Sequence, residues 1–259
     1  MRFKVGREYI VVITTMLILL CYSSYLISVT TENSASASAL SGVTILSDSP
    51  ADYILSPIIG SSGICLSWQQ PYSINEINIY GLHSAFKVKP IIVATGIAYL
   101  AHPDYRYQDE YLALSAEWSC FHFGLTQHLV YEKIEEQSWF TWDNDLALAL
   151  QKNKIKTEIR CNHLRTEDIA VTLSAAVIAN ESSSFSSTYS WRKNDRNNYC
   201  LATSFAIAKP LLLQCSWQNE PARFGVGMKV MLGKMSVMYA VRTHTELGLT
   251  HIVDLGSAW

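Results

Sequence analysis

Charged residues are scarce in this sequence. Only 16% of its 259 residues are Asp, Glu, Lys or Arg, whereas about 25% is usual for a soluble domain. The 20 basic and 22 acidic residues nearly cancel, and no basic stripe appears along the chain. A nucleic-acid partner is therefore not expected, because binding to phosphates requires clustered Lys and Arg.

Long apolar runs are missing as well. After residue 30 no stretch reaches the roughly 18 apolar residues that a membrane-spanning helix requires, although 49% of the chain is hydrophobic. Few charges without long apolar runs are typical of alternating strands that cross a lipid bilayer. They are equally typical of a soluble β-sandwich, which is the alternative at this point.

The motifs of common enzymes and metal proteins are also missing. The chain has no Gly-rich phosphate loop and no G-x-S-x-G. Its six cysteines have no C-x-x-C spacing, which argues against a zinc site or a disulfide framework. His122 and His128 are six residues apart on one predicted strand, about 20 Å at the strand rise, so they cannot share a metal. We therefore expect no catalytic residues, no cofactor and no metal site.

The N-terminus has the pattern of an export signal. Arg2, Lys4 and Arg7 precede an apolar run over residues 9–29, and alternating Ser and Ala follow at residues 34–39. Small residues at this spacing are what a signal peptidase recognises. The sequence predicts a secretory signal peptide over residues 1–39, with an uncleaved membrane anchor as the alternative.

Alternation of apolar and polar residues dominates the rest of the chain. In the last hairpin Val237 and Tyr239 alternate with Ala240 and Arg242, with Met238 as an exception, and from residue 63 onwards this period hardly breaks. A period of two predicts strands, and the turn signals separate roughly 14 of them, each about 10 residues long as a tilted transmembrane strand needs. The polar face is rich in Gly, Ala, Ser and Thr, which suits a narrow lumen. The sequence predicts an all-β fold, a transmembrane antiparallel β-barrel over residues 63–259.

Ionisable residues on the inward polar face are the candidate lumen residues. They are Asp109, Glu117, His122, His128, Asp143, Asp145, Lys156, Glu158, Arg160, Arg192, Lys229, Arg242 and Asp254. Because an unpaired charge inside a barrel is costly, we expect ion pairs between neighbouring strands, with Asp143 and Asp145 next to Lys156, Glu158 and Arg160. The alternative is a polar constriction that selects solutes by charge.

The C-terminal hairpin resembles that of a known family. Residues 246–251 read Glu-Leu-Gly-Leu-Thr-His, and residues 255–259 read Leu-Gly-Ser-Ala-Trp, with Trp where the family has Phe. This ending is similar to the last hairpin of the PorV/PorQ-like proteins, within the broader group of FadL-type channels. The resemblance implies a 14-stranded barrel and an N-terminal segment, here residues 40–62, that enters the lumen as a plug.

The resemblance also implies a function in the cell outer membrane. Such proteins pass small, often apolar solutes or act as accessory barrels in protein secretion. A structural or interaction barrel with a closed, ion-paired lumen is the alternative, and a lipid-modifying barrel enzyme is a third hypothesis. The expected partners are outer-membrane lipid, secretion-system components and the barrel-assembly machinery, which would bind the closing strand at Leu255, Gly256 and Trp259.

Overall fold

The computed structural model describes residues 34–165, 169–180, 182–193 and 196–259. Residues 1–33, which make up most of the predicted signal peptide, lie outside the described residues. The export signal and the alternative anchor therefore stay predictions. Among the described residues, no helix has the length and apolar character needed to cross a membrane.

Fourteen antiparallel strands of the described residues form a closed barrel. Each strand pairs with its neighbours along the chain, and β1 pairs with β14 to close the ring. The strands are β1 (Gly63–Gln70), β2 (Ile79–Val88), β3 (Ile91–Ala101), β4 (Tyr105–Trp118), β5 (Phe121–Ile134), β6 (Gln137–Lys152), β7 (Ile155–Asn162), β8 (Ala170–Asn180), β9 (Ser183–Arg192), β10 (Asn198–Ala208), β11 (Leu211–Asn219), β12 (Ala222–Leu232), β13 (Met235–His244) and β14 (Gly248–Ala258). The predicted fold class and strand number are confirmed.

The alternation of apolar and polar residues corresponds to the two faces of the barrel wall, as predicted. At the closing seam Leu66 of β1 pairs with Leu255 of β14, and these outward side chains are 52% and 50% exposed. Their inward neighbours Cys65 and Ser67 are only 2% and 6% exposed. Successive side chains of a strand point to opposite faces, so the barrel has an apolar outer face and a small, polar inner face.

The lumen contains the N-terminal segment of residues 34–62, which we call the plug. It consists of helix α1 (Ala35–Ala39) and two short 3-10 helices at Thr44–Leu46 and Pro50–Ile54. The side chain of Ser34 caps α1 by accepting a hydrogen bond from the backbone N–H of Ala37. Nearly all residues of the plug as far as residue 59 are buried.

Small inward-facing residues of the wall make room for the plug. Tyr53 and Ile54 pack against a cluster that includes Ala85 and Ala94 on β2 and β3. On the opposite wall, Leu40, Val43 and Ile45 pack against Ala176, Cys200 and Ala202 of β8 and β10. Each buried apolar side chain of this size contributes about 1.5–3 kcal/mol, so the plug is held partly by ordinary apolar packing.

The Ser-Ala stretch at residues 34–39 lies inside this packed segment. Ala35 and Ala39 of α1 contact Met238 of β13 and Ile252 of β14. These two apolar side chains lie on the inner face among polar neighbours, and their contact with α1 gives the physical reason. The predicted boundary of the signal peptide at residue 39 would separate α1 from the rest of the plug.

Candidate functional site: the plugged lumen

Plug residues line a cavity at each end of the barrel. The lower cavity, at the end where β1 begins and β14 ends, has a volume of about 340 Å³ and is lined by Asp48, Ser49, Lys229 and Asp254 among others. The upper cavity, at the opposite end, has a volume of about 230 Å³ and is lined by Ser41, Gly42 and Leu55 of the plug together with wall residues. Between these cavities the plug packs against the wall of the lumen.

Several predicted lumen charges bind the plug. Lys229 donates to the carboxylate of Asp48 at 2.8 Å, and Asp254 accepts from the backbone N–H of Ala35 at 2.8 Å. Both wall residues also line the lower cavity. The two contacts fix the middle of the plug to β12 and its beginning to β14.

The three charges of β7 also bind the plug. Arg160 donates to the hydroxyl oxygen of Thr44 at 2.8 Å, and Lys156 donates to the carbonyl oxygen of Ile45 at 3.4 Å. Glu158 accepts from the hydroxyl of Ser56 at 3.2 Å. Because β7 supplies both donors and an acceptor, it binds two separate parts of the plug.

The prediction that Asp143 and Asp145 pair with the charges of β7 is wrong. The last residue pair between β6 and β7 is Leu146 with Cys161, so Lys156 lies opposite Gln151 and Arg160 lies opposite Ala147. Asp143 and Asp145 come before this paired stretch. They face His128 on β5 and His163, which follows β7.

The remaining candidate residues lie at different heights of the wall. Glu117 forms an ion pair with Lys87 at 2.8 Å, and Asp109 faces His128 at 3.1 Å. Arg242 pairs in register with Gly225 and Thr250. The last two candidates are His122, partly buried on β5, and Arg192, exposed at the end of β9.

Arginines dominate the charge of the upper cavity. The cavity is lined by Arg160, Arg192, Arg196 and Arg223, with Glu220 as an acidic residue beside them. Arg196 pairs with Glu220 at 3.4 Å. An excess of fixed positive charge in a narrow, partly enclosed space attracts anions and repels cations.

Asp52 is the buried carboxylate of the plug itself. Its oxygens accept hydrogen bonds from the hydroxyls of Ser34 and Ser47. Asp52 lies in the plug and not in a strand of the barrel. Burial raises the pKa of its carboxyl to about 6, although both serines favour the charged form. The plug therefore contains a group that can change its charge near neutral pH.

Comparison with known proteins finds solved structures with a similar fold. No family model and no curated protein matches the sequence. Among solved structures, the Pseudomonas putida toluene transporter TodX has a TM-score of 0.69 at 8% identity, over 87% of this chain and 98% of that chain. The CymD monoaromatic hydrocarbon channel has the same TM-score at 7% identity, over 88% of this chain and 97% of that chain.

The chain has the fold of these two channels. At such low identity the likeness concerns the fold alone, the closed barrel of fourteen antiparallel strands described above. The finer resemblance to PorV and PorQ stays a prediction from the C-terminal hairpin.

Two features of the lumen escaped the sequence-based prediction. His163 follows the last residue of β7 and therefore belongs to no alternating run. Asp52 lies in the plug, where no regular period assigns a direction to a side chain. One available signal was the apolar Met238 on a polar face, which indicates that something apolar fills the lumen beside it.

Proposed function

We propose that this protein is an outer-membrane channel for small polar or anionic solutes, closed at rest by its plug. The supporting observation is the layout of the lumen, with a cavity at each end and the plug packed between them. A path for solutes then needs only one change, a displacement of the plug. The shared fold with two channels supports the same proposal.

The contacts of the plug are compatible with such a displacement. Its polar links to Lys229, Arg160 and Asp254 are hydrogen bonds and ion pairs of ionisable side chains, which contribute about 1.5–3 kcal/mol each because water can replace them. The two apolar clusters around Tyr53 and Leu40 are separate. Solutes then pass only when both clusters, and the plug segment between them, have left the wall.

The arginines of the upper cavity support the choice of solute. Resemblance to FadL-type proteins predicts small, often apolar solutes, but this cavity is lined by four arginines and by polar side chains. We place the upper cavity at the cell exterior, since the chain ends of outer-membrane barrels lie on the periplasmic side. A solute would meet this positive charge before it meets the plug.

The outer face supports the location. Half-exposed apolar side chains such as Leu66, Phe86 and Trp259 are proposed to contact outer-membrane lipid, and the closing strand β14 is proposed as the segment that binds the barrel-assembly machinery. A role in protein secretion rests on the family resemblance alone.

Ion selectivity in planar bilayers tests the proposal. Under a KCl gradient the purified protein should conduct with a reversal potential that favours Cl⁻. Arg223→Gln, in the upper cavity, should shift this potential towards K⁺. Arg106→Gln is the matched control, because Arg106 is exposed on β4 and does not line the cavity, and it should leave the potential unchanged. Cation selectivity in the wild type would contradict the proposal.

A closed structural barrel is the second candidate. The observation that favours it is the nearly complete burial of the plug from Ser34 to residue 59. This candidate predicts no conductance steps from the wild type or from variants designed to displace the plug. The channel proposal predicts rare steps from the wild type and frequent steps from those variants.

A further inference from the structure

A cluster of carboxylates and imidazoles lies buried in the wall of the upper cavity. Asp143, Asp145 and His163 each offer one potential ligand atom, and these three atoms lie within 4.8 Å of one another. Asp143 and Asp145 are fully buried, and His163 is 7% exposed. His163 Nδ1 lies 2.6 Å from Asp143 Oδ2, and its backbone N–H donates to Asp145 Oδ1 at 3.0 Å.

His128 adds a nitrogen that makes no hydrogen bond and lies within ion-pair distance of Asp145 at the edge of this cluster. Its Nδ1 lies 3.1 Å from Asp109 Oδ1, while its Nε2 lies 3.6 Å from Asp145 Oδ2. That second distance exceeds hydrogen-bond range, and Nε2 has no hydrogen-bond partner although the side chain is fully buried. If Nδ1 donates its proton to Asp109, Nε2 presents a lone pair towards a carboxylate, an arrangement that a cation between them would satisfy.

The charge of the cluster leads to the same conclusion. With neutral imidazoles, Asp109, Asp143 and Asp145 bring three negative charges into a buried region, and the guanidinium of Arg165, whose Nε lies 2.7 Å from the side-chain amide of Asn144, offsets only one of them. Buried charges are stable only when they are paired or coordinate a metal. A histidine that donates one ring N–H to a carboxylate, as His128 can to Asp109, and turns its other nitrogen towards the cluster is the usual arrangement of a metal-binding imidazole.

We propose that Asp143, Asp145 and His163 bind one divalent transition-metal ion of the zinc type, with His128 as the further donor on the Asp145 side. Imidazole and carboxylate together suit Zn²⁺, whose ligand bonds of about 2.0–2.2 Å place tetrahedral ligand atoms about 3.3 Å apart. Binding would require the hydrogen bond between His163 and Asp143 to lengthen and give way to the metal.

The sequence did not predict this site because its residues come from three separate segments. Asp143 and Asp145 lie on β6, His128 lies on β5, and His163 begins the connection after β7. A bound ion would tie that connection to the wall beside the upper cavity, which His163 also lines. The proposal is independent of whether the barrel conducts solutes.

Metal analysis of the folded, detergent-purified protein tests the proposal. After chelation and dialysis, titration with Zn²⁺ should restore about one ion per chain, and Co²⁺ in its place should give the visible absorption of a four-coordinate site. His163→Ala should abolish both signals. His102→Ala is the control, because His102 follows β3 and lies outside the cluster, and it should bind like the wild type. Boiling-sensitive gel mobility should verify that each variant is a folded barrel.

A second variant distinguishes the metal ligands from a residue that only orients one of them. Asp109→Asn keeps the three proposed ligands but weakens the hydrogen bond that orients His128, so affinity should fall about 10–100-fold without loss of the one-to-one stoichiometry. Zinc binding that is equal in the wild type and in His163→Ala would overturn the proposal. So would the absence of binding by the folded wild type, since the carboxylates would then be satisfied by their hydrogen bonds to the protein alone.

Discussion

A side chain introduced at Gly225 should expel helix α1 from the lumen. Gly225 lies on β12 and faces the plug, and a Cβ built there lies 2.6 Å from the carbonyl oxygen of Ala39 and also too close to that of Ser38. Both atoms belong to rigid backbone of the plug. The substitution Gly225→Leu adds three more carbons in the same direction, so α1 cannot stay in place.

The size of the effect follows from this overlap. Carbon and other heavy atoms in ordinary contact are about 3.5 Å apart, so α1 must retreat by about 1 Å even for a Cβ alone. Overpacking of this kind costs about 1–3 kcal/mol, which corresponds to a 5–150-fold change in the ratio of displaced to bound plug. The pairing of Gly225 with Arg242 in β13 involves backbone and should survive.

Single-channel recording in planar bilayers measures this ratio as open probability. Gly225→Leu should raise the open probability by at least fivefold relative to the wild type. Val226→Ala is the matched control, because Val226 is the next residue of β12 and faces outwards with 55% exposure. Gly124→Leu should act like Gly225→Leu, since a Cβ there lies 2.6 Å from Pro57 of the plug. If both glycine variants fold as barrels and conduct like the wild type, the plug does not close the channel.

Three further predictions concern the plug and the closing strand. Burial raises the pKa of Asp52 to about 6, above the value near 4 of a free carboxyl, so the bound plug takes up a proton between about pH 4 and 6 and binds more tightly as pH falls. Open probability should therefore decrease from pH 7.5 to pH 5, and an equal decrease in Asp52→Asn would refute this cause. N-terminal sequencing of the protein from outer membranes should give a first residue at or before Ser34, because a start at Leu40 would remove α1 and its contact with Asp254. Trp259→Ala should lower the yield of boiling-sensitive barrel several-fold, whereas Trp118→Ala, an exposed aromatic within the wall, should not.

The barrel could be predicted because apolar and polar residues alternate with a regular period of two along each strand. Side chains of a strand in a membrane barrel alternate between lipid and lumen. The position of a residue such as Leu66 or Asp109 in its alternating run therefore predicts which face of the wall it lies on. The number of strands follows from the number of runs. Neither inference requires the register, that is, which residues of neighbouring strands lie opposite each other.

The partners of the charges could not be predicted, because they depend on register and on the plug. Asp145 and Arg160 lie on neighbouring strands, but Asp145 precedes the paired stretch that ends at Leu146 and Cys161. Arg160 binds Thr44, a residue of an irregular segment whose path no sequence period fixes. His163 likewise lies outside any alternating run, which is why its approach to Asp143 was not foreseen.

A reversible disulfide between the plug and the wall tests most directly whether movement of the plug opens the channel. Ser49 of the plug lies with its hydroxyl oxygen 3.9 Å from the sulfur of Cys65 on β1, which is a free thiol. Ser49→Cys therefore places two thiols where a disulfide would join the plug to the wall. Ser49→Ala is the control that cannot form this bond, and mass spectrometry without reductant verifies the bond.

Oxidised Ser49→Cys should give almost no conductance steps, and reductant should restore them to the level of Ser49→Ala. Wild-type conductance should not respond to reductant. Undiminished conductance in protein whose disulfide has been verified would contradict the claim that solutes pass only when the plug leaves the wall.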